Sequence, residues 1–174
     1  MSAALFEVIG HVEVILRNAI HSTMSAWGSS EGFGSNWYDN SHGLLGASSM
    51  VDISRATERL RRSGKSASPD RLVSELNFGF WRFLLTSKYR TTIWPILARN
   101  MFSRSPSGSP ERFFASVGRI HDLRNRIAHH ESLIGRSLEL DLHDLYRVLS
   151  LVCPESTRWV AEHSRVEELL IAKP

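Results

Sequence analysis

The sequence predicts an all-helical protein, and three observations carry that reading. Apolar residues recur at three- and four-residue steps in segment after segment; no stretch alternates apolar and polar with period two; and Gly-, Ser- and Pro-rich stretches separate the periodic ones. A length of 174 residues predicts one domain, 1–174, large enough to bury a core. Hydrophobic content of 42% and charged content of 22% set aside fibrous and wholly disordered classes.

Taken in order, Leu5, Val8, Val12, Ile15, Ala19 and Ile20 form one stripe and predict a helix over 5–27, with Glu13 and Arg17 as an i,i+4 pair on its flank. The Gly- and Ser-rich stretch 28–35 ends it, and Trp37 and Tyr38 form a short aromatic anchor. A polar stretch, 40–49, leads to a second helix over 50–62, stopped by Gly64. Ser68 and Pro69 read as the N-cap and first-turn proline of a third helix, 69–87. Leu72, Leu76, Phe80, Phe83 and Leu84 give that helix a wide apolar face, with Trp81 beside it, and mark it as the central core element.

Trp94 and Pro95 open a shorter helix to 101. The segment 103–110, SRSPSGSP, is the clearest loop and carries Arg104. Ser109 and Pro110 repeat the cap-plus-proline start for a helix over 110–131, with Phe113, Val117, Ile120 and Ile127 inward. A helix over 141–152, with Leu142, Leu145, Val148 and Leu149 inward, is stopped by Pro154, and two short helices, 157–163 and 165–172, finish the chain. Helices joined by short loops predict a bundle.

A net charge of +3 permits a polyanionic partner without demanding one. Cys153 is the single cysteine, so no intramolecular disulfide forms, and a buried structural thiol is expected there. No apolar run approaches the roughly 18 residues of a membrane span, and Glu7, His11 and Glu13 interrupt any signal-peptide pattern. No membrane association and a cytoplasmic location are therefore expected.

The segment that stands out chemically is 121–131, HDLRNRIAHHE. On a straight helix His121, Asn125 and His129 share a face at four-residue spacing, joined by Asp122. Arg124 lies five residues before His129, about 140° around the axis, so the two side chains diverge unless the helix bends or a second subunit supplies one of them. These groups suit phosphodiester cleavage. Imidazole exchanges protons near neutral pH, and guanidinium presents a charged fork to phosphate oxygens. RNA brings its own 2′-OH nucleophile, so no metal or cofactor is required. The blander reading of the same residues is a solvated helix end, and His130 fits a cap beside the helix dipole better than a catalytic role. Zinc is not expected: His129, His130 and Glu131 splay around the helix, and neither HExxH nor a Cys pair is present.

The string RNRIAHHE resembles the signature of the HEPN superfamily, an Arg with a polar residue after it and a His four to six residues on; here these are Arg124, Asn125 and His129. Three further segments resemble the Abi-like (abortive infection) family in the same order: HVEVILRNAI (11–20), Trp37 with Tyr38, and LNFGFWRFLLTSKYRTTIWP (76–95). Together they span about 11–170. The resemblance implies a HEPN helical bundle and a metal-independent endoribonuclease, working as a homodimer whose two Arg–His motifs form one composite site. It implies products with a 2′,3′-cyclic phosphate and a 5′-OH, and a role as a toxin or phage-exclusion effector with an antitoxin among its possible partners. Carried over by position, Arg124 stabilises the phosphate, His129 is the acid–base group and Asn125 orients them. His121 and His130, with Glu13, Arg17 and Asn18 of the first family-like helix, are supporting candidates. Family members usually place a proline after HHE where this chain has Ser132. Many also carry further sequence ahead of the first of these helices.

Two other functions fit the same residues. One is a non-catalytic HEPN module that binds nucleic acid, nucleotide or a partner protein. The other is a helical assembly domain whose His-rich helix only packs against a partner.

Overall fold

A computed structural model describes residues 1–101 and 109–172. All regular structure among them is helical. The order is α1 (Ser2–Ser30), a 3₁₀ turn (Trp37–Asp39), α2 (Ala47–Arg62), α3 (Pro69–Glu75), α4 (Phe78–Leu84), a second 3₁₀ turn (Ser87–Tyr89), α5 (Ile93–Met101), α6 (Pro110–Ala128), α7 (Leu138–Val152), α8 (Pro154–His163) and α9 (Val166–Ile171). Most of the loop expected over 103–110, with Arg104, lies outside the described residues. No helix among the described residues is long and apolar enough to cross a membrane.

The chain forms two compact units, Met1–Leu16 with Phe102–Pro174, and Arg17–Met101. In the first, α6, α8 and α9 pack on α7. The expected inward stripes are buried: Phe113, Val117 and Ile120 on α6, and Leu142, Leu145, Val148 and Leu149 on α7. Each such side chain contributes about 1.5–3 kcal/mol by leaving water. Ile127, expected inward, is only half-buried, and Leu123 is buried one turn earlier. Cys153 is half-buried rather than enclosed, because the chain is extended there before Pro154 takes the first position of α8; Ser156 Oγ donates to its sulfur at 3.0 Å.

In the second unit Trp37 of the expected aromatic pair is fully buried and Tyr38 only half-buried; Trp37 packs against the equally buried Trp81, with ring centroids 6.2 Å apart. A buried indole must place its N–H. Trp81 Nε1 donates to the Leu76 carbonyl at 3.3 Å, and Trp37 Nε1 donates to His21 Nδ1 at 3.1 Å. Burial lowers the pKa of His21, against the raising effect of Asp70. Tyr89 is also buried; its hydroxyl meets Ser49 Oγ at 2.8 Å and accepts from the Gly46 amide at 3.1 Å.

The helix expected over 69–87 is two helices. Leu76 is extended (φ −76°, ψ 127°) and Asn77 starts α4 by accepting the Phe80 amide at 2.9 Å. An asparagine side chain satisfies an orphan amide there, and the break turns the α4 aromatics to the core independently of α3. The Glu13–Arg17 flank pair is not formed. Arg17 Nε instead donates to Asn18 Oδ1 at 3.3 Å, and Glu13 has no ion pair among the described residues.

Candidate functional site at the end of α6

Ser109 and Pro110 start α6 as expected, with Ser109 Oγ accepting the Arg112 amide at 3.4 Å. The buried side of the helix is apolar except for Ser116, and that exception leads into a polar clamp. Ser116 Oγ donates to Asp144 Oδ1 at 2.7 Å, and Arg119 grips the same carboxylate with two nitrogens, Nη2 lying 2.7 Å from Oδ1. One turn earlier on α7, Asp141 is held by Arg136 through Nε at 2.5 Å and Nη2 at 2.7 Å. Arg136 Nη2 also donates to the Arg119 carbonyl at 3.2 Å, so the loop after α6 is tied back to the middle of α6.

Both carboxylates are buried, Asp144 to 2% exposure and Asp141 to 4%, which a charge tolerates only when paired and hydrogen-bonded. Burial alone would raise the pKa of Asp144, but the hydrogen bonds from Arg119 and Ser116 and the Arg119 charge outweigh it, and the net shift is downward. The hydrogen bonds to Asp144 and Asp141 raise the pKa values of Arg119 and Arg136 in turn, against the opposing effect of burial.

The polar residues of the standout segment occupy the next two turns. Asn125 Nδ2 lies 3.4 Å from Nδ1 and 3.5 Å from Nε2 of His121. These near-equal distances set the amide against the ring rather than along one lone pair. Arg124 Nη1 reaches Asn125 Oδ1 at 3.5 Å, the outer limit of a hydrogen bond. Arg124 is half-buried, and its Nε is buried without a hydrogen-bond partner among the described residues. His121 Nδ1 stands 3.7 Å from Asp122 Oδ1.

α6 ends at Ala128, three residues short of the expected end at 131. His129 is the C-cap, its amide donating to the Asn125 carbonyl at 2.9 Å. His130 turns left-handed (φ 57°), its amide goes to Ile127 at 3.1 Å, and the Glu131 amide reaches back to Arg126 at 2.8 Å. This is a Schellman stop, which satisfies carbonyls the helix would leave open. Arg126 clips the turn through Ser132 O at 3.2 Å and Glu131 Oε2 at 3.7 Å. Both His129 and His130 are exposed.

The structure therefore brings His121, Arg124 and Asn125 together. It sets His129 and His130 one turn on, off the helix, where the His129 imidazole has no hydrogen-bond partner among the described residues. Glu13 belongs to the first unit, Arg17 and Asn18 to the second. Among the described residues no group of three or more His, Cys, Asp or Glu side chains is placed to hold a metal ion. No family model, curated protein or solved structure matches this chain.

Two features were missed in the sequence. The Asp141/Asp144 pair had a signal, two acids at i,i+3 inside an apolar helix, but their arginine partners had none. The other feature is a cleft of about 290 Å³ in the first unit, floored by buried Val8 and Val160 and walled by His11, Trp159 and His163. There the His163 ring stacks on Trp159 (centroids 4.7 Å apart), and Nδ1 donates to the Trp159 carbonyl at 2.8 Å. Nothing in the sequence links residues 11 and 159.

Proposed function

We propose that this chain is a metal-independent endoribonuclease of the Abi-like branch of the HEPN superfamily, a cytoplasmic toxin or phage-exclusion effector that cuts RNA by 2′-OH attack. The observation that supports it is the contact set of Arg124, Asn125 and His121 on a clamped helix, one turn before the exposed His129 and His130. Arg124 meets the charge that builds on phosphorus with its guanidinium. His129 moves the proton, as imidazole does near neutral pH. Asn125 positions Arg124, and His121 positions Asn125. The all-helical architecture agrees with a HEPN bundle, which belongs to this proposal, as does a homodimer that closes the gap between Arg124 and His129.

Incubating purified protein with mixed labelled RNA in excess EDTA tests it. Cleavage with 2′,3′-cyclic phosphate ends is expected from wild type and not from Arg124→Ala or His129→Ala. Rates unchanged in both variants would sink the reading.

One observation favours a second reading. The His129 imidazole has no orienting partner among the described residues, as suits a module that binds nucleic acid, nucleotide or a protein without reacting. Binding that survives His129→Ala, with no cleavage by wild type, would establish that reading instead.

A further inference from the structure

Among the described residues the same helix stop forms three times: at the end of α1, Gly32 is left-handed (φ 81°), with its amide on Ser29 at 3.3 Å and the Phe33 amide on Gly28 at 2.9 Å, and α2 and α6 end in the same way. At the end of α2, Gly64 takes the left-handed position (φ 70°), with its amide on Arg61 at 3.1 Å and the Lys65 amide on Leu60 at 3.0 Å. At the end of α6 the same two bonds form at 3.1 and 2.8 Å, but the left-handed residue is His130. A side chain with a Cβ is strained there, and glycine is not.

Asparagine and aspartate offset that strain by bonding locally. Asn40, left-handed at φ 60°, does so: its side chain donates to the Leu45 carbonyl at 3.0 Å and accepts the Leu45 amide at 2.7 Å. His130 has no such compensation. Its ring is exposed and makes no hydrogen bond or ion pair among the described residues. The stop therefore does not need this side chain and would be firmer without it. A strained residue that the fold does not use is a candidate for chemistry.

The backbone cannot do that chemistry. A right-handed then left-handed pair gathers consecutive amides into an anion-binding nest. Here the amides of 129, 130 and 131 are all spent on helix carbonyls. Whatever meets an anion at this end of α6 is a side chain.

Resting on the nuclease reading above, we propose that His130 is a catalytic residue, the second proton-transfer group beside His129. Transesterification needs two proton movements. The 2′ oxygen bonds to phosphorus as its proton passes to one imidazole; the P–O5′ bond breaks as the other, an imidazolium, protonates the departing 5′ oxygen. A cyclic phosphate and a 5′-hydroxyl result, and no co-reactant is consumed. Adjacent histidines put both proton carriers on one chain, so a partner subunit need not supply the second.

The test is His130→Gly, with His130→Asn as a second left-handed-tolerant variant, each compared with wild type in three measurements. Single-turnover RNA cleavage in EDTA is expected to fall at least about 100-fold in both. The folding equilibrium constant of His130→Gly is expected to rise about fivefold by urea titration. Binding of a 2′-O-methyl RNA of the same sequence, followed by anisotropy, is expected to stay within about threefold. A stabilised His130→Gly that cleaves at the wild-type rate overturns this assignment and leaves the nuclease reading standing. A His130→Gly that is no more stable removes its premise. A wild type that cleaves nothing sinks the nuclease reading, and the assignment with it.

Discussion

The two halves of α6 are held in different ways. Its first half is anchored: Phe113, Val117 and Ile120 are buried, and Ser116 and Arg119 close on the Asp144 carboxylate across to α7 at distances typical of charge-assisted bonds. Its last two turns bury only Leu123 and carry long contacts of 3.4–3.5 Å between His121, Arg124 and Asn125, and then exposed imidazoles. Stability is thus concentrated on one stretch of the helix and reactive groups on the next. Removing the second set is expected to leave the fold standing, while removing the first is not.

The largest effect expected from breaking this division is that of Asp144→Ala, which strips the partner from Arg119 and Ser116. Urea titration should show a loss of about 2–3 kcal/mol, below the full figure for a buried pair because the Arg119 side chain is 43% exposed. Should the variant match wild type, the clamp is not what holds α6 to α7.

Acid sharpens the comparison and extends it to the second unit. The folded Asp144 pKa is lowered, so its stabilisation is complete above the unfolded value of about 3.9 and is lost as pH falls through the folded one. The folded His21 pKa is also lowered, because burial disfavours the cation, so its loss begins earlier, as pH drops below the unfolded value of about 6.5. Stability measured from pH 8 to 3 should fall in two windows. Asp144→Asn should narrow the lower one, to which Glu58, lowered by its hydrogen bonds from Arg61 and Arg62, also contributes, and His21→Gln should remove the upper. A single window unaltered by either variant would contradict both assignments.

His130→Gly should raise stability by about 1 kcal/mol by relieving the left-handed strain. The smallest change is expected for Asn125→Ala, within about 0.5 kcal/mol of wild type, since its contacts are long and half-exposed. Its RNA cleavage should nevertheless fall at least about tenfold, because Asn125 is what positions Arg124. If Asn125→Ala unfolds the protein, the division between the halves of α6 is wrong.

Much of this was legible in advance. Ser109 with Pro110 announced the start of α6, and the spacing of Phe113, Val117 and Ile120 announced its buried face. Where the reading missed, the reason is physical. The break at Asn77 was written in a capping residue, but the four-residue spacing of Leu72, Leu76, Phe80 and Leu84 across it concealed it. The end of α6 was placed too late because a histidine, not a glycine, takes the left-handed position. His121 and Asn125 could be put in contact from four-residue spacing alone; the orphaned Nε of Arg124 could not be foreseen, since burial depends on what surrounds it.

By itself the sequence determined what local periodicity and capping control: an all-helical chain, the faces those helices bury, and the crowding of His, Arg and Asn at the end of α6. Tertiary structure alone decided which charges go inside. Arg119 meets Asp144 across 25 residues, and Trp37 meets His21 across 16. Such pairs exist only once packing has brought two segments side by side, because a buried charge or indole N–H takes whatever partner the fold places within reach.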